Sequence, residues 1–306
     1  MIREKKYRIV GLGEILWDVF PQGKKLGGAP ANFAYYASEL GQEGIIASRI
    51  GNDILGKEIL NSLDEINLRG DFIQIDYSHP TGTVDVKLDS NGQPNYIINR
   101  NAAWDFLELS DSWKKLAADI DVVCFGTLAQ RSLKSRRAII NFLKVVKENT
   151  IKVFDINLRQ NFYSIKIIIE SLKFTTILKL NMEELELLKN LMSYFNEKNY
   201  IQICSRLINE YNIKLLCLTE GENGSLLVNK DGYFKHPGYK VKVADTVGSE
   251  DAFTAAVVIH YLAGKTLEEI SDAANKLGSW VSSKSGPTPI LDDRTIKKLF
   301  MNKVKY

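Results

Sequence analysis

The sequence predicts an α/β fold, a mainly parallel sheet between two layers of helices, and three observations carry that expectation. Short β-rich runs alternate with longer stretches of helical periodicity. Several of the short runs, such as Val122-Val123-Cys124-Phe125 and Leu215-Leu216-Cys217-Leu218, are apolar throughout, as strands buried on both faces are. Strand and helix taking turns along a chain imply a parallel sheet covered by its crossover helices.

In chain order, Tyr7–Leu12 is the first strand. Pro30, suited to a first helical position, opens the helical pattern Ala31–Leu40. Gly44–Ala47 is a strand and Asp53–Asn67 a helix. The segment Phe72–Asp105 then breaks the alternation: strand-like runs at Thr83–Leu88 and Tyr96–Asn99 flank the turn-rich Asp89-Ser90-Asn91-Gly92, a hairpin signal. Such an insert reads as a small sheet over the cleft of the main domain, a lid, or as a plain edge hairpin. Strand Asp121–Phe125 precedes helix Lys134–Lys147, and strands Ile151–Asp155 and Thr176–Leu180 precede helices Met182–Leu188 and Tyr200–Tyr211. Lys214–Thr219 and Ser225–Val228 are the last strands, and two helical patterns, Asp251–Leu262 and Leu267–Val281, follow in close succession. No linker forces a split, so a single domain across residues 1–306 is expected.

Composition narrows the function classes. With 306 residues, 45% hydrophobic and 25% charged, the chain is long and apolar enough for a large core and is not a disordered or fibrous sequence. Forty Lys+Arg against 37 Asp+Glu leave +3, too little and too scattered for a nucleic-acid or anionic-membrane partner. Cys124, Cys204 and Cys217 lie far apart, two of them within the apolar runs quoted above, and read as buried free thiols of a reducing compartment. The charged start, Met1 to Arg8, has no signal-peptide core behind it, and no run reaches the ~18–20 apolar residues of a membrane span. A cytoplasmic protein is the expectation. His79, His236 and His260 share no metal-ligand spacing and read as packed or surface histidines.

Two glycine-containing segments carry the chemistry. In Asp245-Thr246-Val247-Gly248-Ser249-Glu250-Asp251-Ala252 a small-residue turn opens directly into a long apolar helix, so first-turn amides and the positive dipole end face whatever fills the turn, which favours a phosphate. Asp251 would stand on the first turn, ready to take a proton from an attacking hydroxyl; alternatively it only caps the helix and Asp245 only ends a strand. In Gly27-Gly28-Ala29-Pro30-Ala31-Asn32 two glycines allow close approach of a ligand, and Asn32 offers both donor and acceptor, which suits a polyol. Upstream, Asp18 in Gly13-Glu14-Ile15-Leu16-Trp17-Asp18 lies just past the first strand, where open α/β sheets bind ligands. That segment imitates a dinucleotide fingerprint but has Leu16 in place of its third glycine.

Together these segments resemble the PfkB/ribokinase-like family of carbohydrate kinases, from Tyr7 to Ile290 and in the family's order. The resemblance implies a ribokinase-like three-layer sandwich with a small β lid, formed mainly by residues of about 14–28 and 72–105, and phosphoryl transfer from ATP to a sugar hydroxyl. Thr81-Gly82-Thr83-Val84-Asp85-Val86, Ala103-Trp104-Asp105 and Gly13–Asp18 are similar to the fructokinase branch, which implies fructose as substrate and fructose 6-phosphate as product. By the same resemblance Asp251 is the catalytic base, and Gly248, Ser249, Glu250 and Asp251 form the anion hole. Asp18, Gly27, Gly28 and Asn32 hold the sugar, with Arg159 near the sugar or the transferred phosphate. Asn181 and Glu184 match an Asn-x-x-Glu pattern that organises magnesium and phosphate through water, as magnesium prefers. Thr219, Gly221 and Gly224 resemble the nucleotide loop, and Asn275 packs the adenosine. Read without the family, Asn181 is a helix cap, Thr219 begins a hairpin turn and Asn275 is a polar helix-face residue. Carbonyls around Asp245 and the turn Lys284-Ser285-Gly286-Pro287-Thr288-Pro289 would hold potassium, and related kinases pair into homodimers through the lid.

Phosphoryl transfer asks a protein for positioning and charge stabilisation, and an exposed Asp251, titrating near ~4, would be an ionised base at neutral pH. One residue departs from the family pattern: Glu250 stands where a glycine is usual. A carboxylate ~4 Å from a phosphate oxygen costs roughly 1 kcal/mol in water-like surroundings and about 4 at an effective dielectric of ~20, unless it turns to solvent. Two functions therefore follow: a working sugar kinase that tolerates Glu250, or a sugar- or nucleotide-binding relic acting as a sensor or partner subunit.

Overall fold

Alternate residues of the first strand enter two different apolar layers. Ile9 packs into one buried cluster, while Val10 and Leu12 pack into the other. This period-two division, repeated strand by strand, is what a sheet buried on both faces requires. The structure, a computed structural model, describes residues 6–88, 94–194, 197 and 199–300.

In chain order the elements are β1 (Arg8–Leu12), β2 (Leu16–Phe20), β3 (Gly23–Gly27), α1 (Ala29–Glu39), β4 (Glu43–Gly51), α2 (Ile54–Glu65), β5 (Ile73–Asp76), β6 (Gly82–Leu88), β7 (Pro94–Ile98), α3 (Asp111–Ala117), β8 (Val122–Phe125), α4 (Leu133–Val145) and β9 (Ile151–Asp155). The second half adds α5 (Ile165–Leu172), β10 (Ile177–Asn181), α6 (Met182–Leu191), α7 (Tyr200–Tyr211), β11 (Leu215–Thr219), β12 (Ser225–Val228), β13 (Tyr233–His236), α8 (Ser249–Leu262), α9 (Leu267–Ser282) and α10 (Asp293–Phe300).

Nine strands form the main sheet in the order β13-β12-β11-β10-β9-β8-β1-β4-β5. From β11 to β5 the pairing is parallel; β12 and β13 add an antiparallel edge. Helices α3 to α7 cover one face, where Phe142, Ile168, Leu185 and Leu207 meet Phe125, Phe154 and Leu178. On the other face α1, α2, α8 and α9 cover Ile9, Val122, Ile177 and Cys217. The predicted three-layer α/β architecture is therefore the one observed.

A second sheet, β3-β2-β6-β7, stands apart from the first. Strands β2 and β6 are parallel and the two outer pairs antiparallel. The expected insert Phe72–Asp105 does not belong to it as a whole. Its first strand, β5, extends the main sheet beside β4, from Ser48↔Ile73 to Gly51↔Asp76, and its last residues return to the core, where Ala103 and Trp104 are fully buried. The predicted hairpin turn Asp89–Gly92 lies outside the described residues. Arg131 fastens the returning segment: its Nε donates to Asp105 Oδ1 and its Nη2 to Asp105 Oδ2, both at 2.8 Å, and its guanidinium lies 4.0 Å from the Trp104 ring centre.

The three cysteines are free and buried. Each histidine is packed: His79 stacks on Phe106, His236 is buried, and His260 Nδ1 contacts the Ala256 carbonyl at 2.9 Å. Among the described residues no helix is long and apolar enough to cross a membrane.

Candidate active site

From β1 the strand order runs to β4 on one side and to β8 on the other, so the chain reverses direction across the sheet at this point. Connections leaving the carboxyl ends of β1 and β8 diverge and open a crevice, the usual ligand position in an open α/β sheet. Glu14, Thr127, Asp155, Asn157 and Asp251 line a small pocket there.

Helix α8 enters this crevice with its N-terminus. Gly248 caps it at φ 80°, a left-handed conformation, and a side chain at this position would lie 2.2 Å from the Pro287 carbonyl oxygen. Only glycine meets both demands. First-turn amides of a helix have no intrahelical acceptor; in α8 the Ser249 amide donates to the Thr246 carbonyl at 3.2 Å, and those of Glu250 and Asp251 follow it at the helix start. Ser249 turns its hydroxyl back to the Thr246 carbonyl at 2.7 Å.

Asp251 stands in that first turn, and Asn32 on α1 donates from Nδ2 to its Oδ2 at 2.8 Å. The exposed carboxylate titrating near ~4 that the sequence predicted is not what the structure holds. Asp251 is buried, and burial pushes its carboxyl up to about 6 against the opposing effects of Asn32, Lys179 and Arg159. Beside it, Glu14 is buried with Oε2 lacking a hydrogen-bond partner, and burial raises it to about 7.

Glu250 turns partly to solvent, one of the two outcomes the sequence allowed, with its side chain 45% exposed, and it is held there by two contacts. Its Oε2 pairs with Lys179 Nζ at 2.5 Å, and Thr219 Oγ1 donates to its Oε1 at 3.4 Å. Lys179 in turn lies 3.2 Å from Asp155 Oδ1. Parity explains the reach: Ile177, Lys179 and Asn181 share the α8 face of β10, and Lys179 lies between Asp155 of β9 and Cys217 of β11. The Lys179 ammonium holds the Glu250 carboxyl below its ordinary range. Burial pulls Lys179 down, but Asp155 and Glu250 outweigh it and leave the ammonium raised.

On the expected sugar side, Asp18 sits on β2, in the second sheet, opposite Lys25 of β3. A side chain on Gly27 would come within 2.5 Å of Asp18 Oδ2, and one on Gly28, the cap of α1, within 2.5 Å of the Glu14 carbonyl oxygen. Burial raises Asp18 to about 6, with Arg159 and Lys25 opposing. Arg159 lies exposed in the loop after β9 and makes one long contact, from Nη1 to the Leu158 carbonyl at 3.4 Å. Asp245 is in a loop rather than a strand. Its carboxylate accepts from the Val247 and Gly286 amides, each at 3.1 Å, and lies 3.3 Å from Lys25 Nζ, tying the second sheet to the loop before α8.

On the expected nucleotide side, Asn181 and Glu184 form a reciprocal helix cap. Asn181 Oδ1 accepts from the Glu184 amide and Glu184 Oε2 from the Asn181 amide, each at 2.9 Å, while Glu184 Oε1 accepts from the Leu158 amide at 2.8 Å. The cap reading of Asn181 thus holds. Thr219 ends β11, and a tight turn over Gly221–Asn223 leads through Gly224 into β12. Asn275 is buried on α9 and donates to Ser225 Oγ and the Ser271 carbonyl, both at 2.8 Å.

The profile of pfkB family carbohydrate kinases matches residues 5–294. The chain belongs to that family. An uncharacterized sugar kinase of Pyrococcus horikoshii is 28% identical over 93% of this chain and 94% of its own length. Its crystal structure in complex with ATP superposes with a TM-score of 0.79 at 27% identity, covering 92% of this chain and 94% of that one. A fructokinase of Solanum tuberosum is 26% identical over 92% of each chain.

For a carbohydrate kinase of this family the donor set bears on magnesium. Among the described residues no group of three or more His, Cys, Asp and Glu side chains gathers to hold a metal. Glu184 offers one carboxylate with both oxygens already accepting from amides, which fits an ion held mainly by phosphates and water. The residues that sequence reasoning passed over are Lys179, Glu14 and Lys25. Only Lys179 left a signal, a lysine amid Ile177-Leu178-Lys179-Leu180. Burying such a charge needs a partner, which the strand itself does not name.

Proposed function

We propose that this chain is an ATP-dependent fructokinase that moves the γ-phosphate of ATP to the 6-hydroxyl of fructose. One observation carries the reading: Asp251 stands buried in the first turn of α8, oriented by Asn32, beside amides suited to a phosphate. In this mechanism Asp18 and Asn32 fix the sugar against Gly27 and Gly28. Asp251 takes the hydroxyl proton as the sugar oxygen bonds to the γ-phosphorus, and the bond to the β-bridging oxygen breaks to release ADP. The amides of Gly248–Asp251 and the Arg159 guanidinium stabilise the charge on the phosphoryl oxygens. A base raised to about 6 is still mostly ionised at pH 7 and is better matched to the proton it accepts than one near ~4.

Thr219, Gly221, Gly224 and Asn275 would line the nucleotide. Magnesium, bound with ATP and held through water by Glu184 near Asn181, would neutralise phosphate charge. A potassium ion would sit among carbonyls of the 245 and 284–289 loops, which the Asp245–Gly286 contact joins. Exposed Tyr96 and Ile97 on β7 offer a surface for a homodimer through the lid sheet. The reading as an inactive relic rested on Glu250 crowding the phosphates, and nothing in the relatives favours it. Coupled ADP release over a panel of hexoses, pentoses and sugar acids tests the proposal. Fructose should give the highest kcat/KM, and Asp251→Asn should lose about 10³-fold or more in kcat. A better hexose would overturn fructose alone; no turnover with any sugar would overturn the kinase reading.

A further inference from the structure

Glu250 brings a carboxylate to the first turn of α8, the position where it competes best with a phosphate for the helix-end amides and dipole. The side chain is kept from that competition. Lys179 holds Oε2 and Thr219 holds Oε1, and these residues sit on adjacent strands at the end of the sheet, in the register Lys179↔Cys217 and Asn181↔Thr219. Lys179 is 1% exposed, so its ammonium is a fixed counter-charge rather than a mobile surface partner. Asp155, on its other side, lies 3.2 Å from the same ammonium, which donates its hydrogen bond to Glu250. The lysine therefore has a second carboxylate beside it, whereas the Glu250 carboxylate is placed by Lys179 and Thr219.

We propose that Lys179 is a positioning residue for phosphoryl transfer: it clamps the Glu250 carboxylate against the β10–β11 end of the sheet and so leaves the amides at the start of α8 open to the nucleotide phosphates. The proposal rests on the kinase reading above and adds to it a residue outside the anion hole. Its consequence is conditional: Lys179 matters to the phosphate site because Glu250 is there. Without Glu250 the same lysine is only the partner of Asp155.

The test compares the native chain with Lys179→Met, Glu250→Gly and the double variant, reading kcat and the KM for MgATP. Lys179→Met should raise the MgATP KM and lower kcat by about tenfold or more each, while in the Glu250→Gly background the same change should cost less than about threefold in each, a coupling of at least about 0.7 kcal/mol in either constant by the tenfold-per-1.4 kcal/mol rule. Equal losses in both backgrounds overturn the clamp. Lys179→Arg, which keeps the charge, should restore most of the MgATP KM. If Lys179→Met does not fold, Glu250→Asp and Glu250→Gln decide: aspartate withdraws the charge from Lys179 by about 1.5 Å, one carbon–carbon bond, whereas glutamine keeps the length without the charge. The aspartate variant should bind MgATP about tenfold more weakly than the glutamine variant; equal or tighter binding overturns the proposal. Calorimetric MgATP affinities read the same differences without a sugar, so a chain that turns over no sugar fails the kinase reading while the clamp is still decided.

Discussion

The side-chain amide of Asn32 donates to Asp251 Oδ2 at 2.8 Å, joining residues 219 positions apart and linking the start of α1 to the start of α8. The two glycine-containing segments thus meet at one hydrogen bond. Burial alone would raise Asp251 further; the Asn32 donor is the largest influence opposing it.

A pH profile reads that balance. As the proposed base Asp251 works only when ionised, so kcat/KM should fall about tenfold per pH unit below its value of about 6. Asn32→Ala removes the donor that favours the charged form, so the acidic limb should move upward and the rate at its plateau should drop by about 10- to 100-fold. A limb that stays in place in the variant separates Asn32 from the proton transfer.

Glu14 should show itself in stability rather than rate. Its folded value of about 7 exceeds the ordinary glutamate value of 4.5, so the folded chain holds a proton that the unfolded chain releases. The sign follows: this group's contribution is fully present below about pH 4.5 and is lost as pH rises through about 7. Glu14→Gln removes the penalty. It should leave the melting temperature near the native value at pH 4.5 and raise it by several degrees at pH 8, about 1–3 kcal/mol. An equal shift at both pH values would mean packing, not titration.

Much of this site was legible from residue types alone. Apolar runs such as Val122–Phe125 announced parallel strands because both faces are buried, and Gly248 followed by a long apolar helix announced an anion-suited end. Other features depend on contacts that no local pattern carries. Lys179 and Glu250 are 71 positions apart, and only strand parity together with the placement of α8 brings them together. Asp251 looked exposed because a helix start usually is, whereas α1 covers this one. Asn181 and Glu184 admitted two readings, since an Asn-x-x-Glu spacing is also a capping pattern, and the cap is the one the structure displays. The short α3 and α5 escaped notice because seven- and eight-residue helices span too little chain to show a period, and β13, Tyr-Phe-Lys-His, because it is a mostly exposed edge strand and not an apolar run.

Arg131 and Asp105, each 6% exposed in their side chains, form a buried fork-to-fork pair that also holds the Asn99 carbonyl at the end of β7. Breaking such a pair from one side leaves a buried carboxylate uncompensated, at a cost of about 3–5 kcal/mol. Arg131→Met should therefore lower the melting temperature by about 6–15 °C and raise the sugar KM more than the MgATP KM, because the second sheet is anchored through this bracket. A melting temperature within 2 °C or so of native would show that the bracket carries no weight.

Asp18 tests the sugar side independently of the transferred phosphate. Burial raises its carboxyl to about 6, with Arg159 and Lys25 pulling it back, and it stands on β2 of the second sheet, whereas Asp251 stands on α8. A charged acceptor binds a hydroxyl more strongly than a neutral one, by about 1 kcal/mol or somewhat more. The sugar KM should accordingly rise as pH falls through about 6, while the MgATP KM stays level. Asp18→Asn fixes the position in a neutral form: the sugar KM should be about 5- to 15-fold higher and flat from about pH 5 to 8, with the acidic limb of kcat still present because Asp251 is untouched. If the variant instead lost the kcat limb and kept the pH dependence of the sugar KM, the two carboxyls would have to exchange roles, with Asp18 as the base and Asp251 as the sugar's anchor.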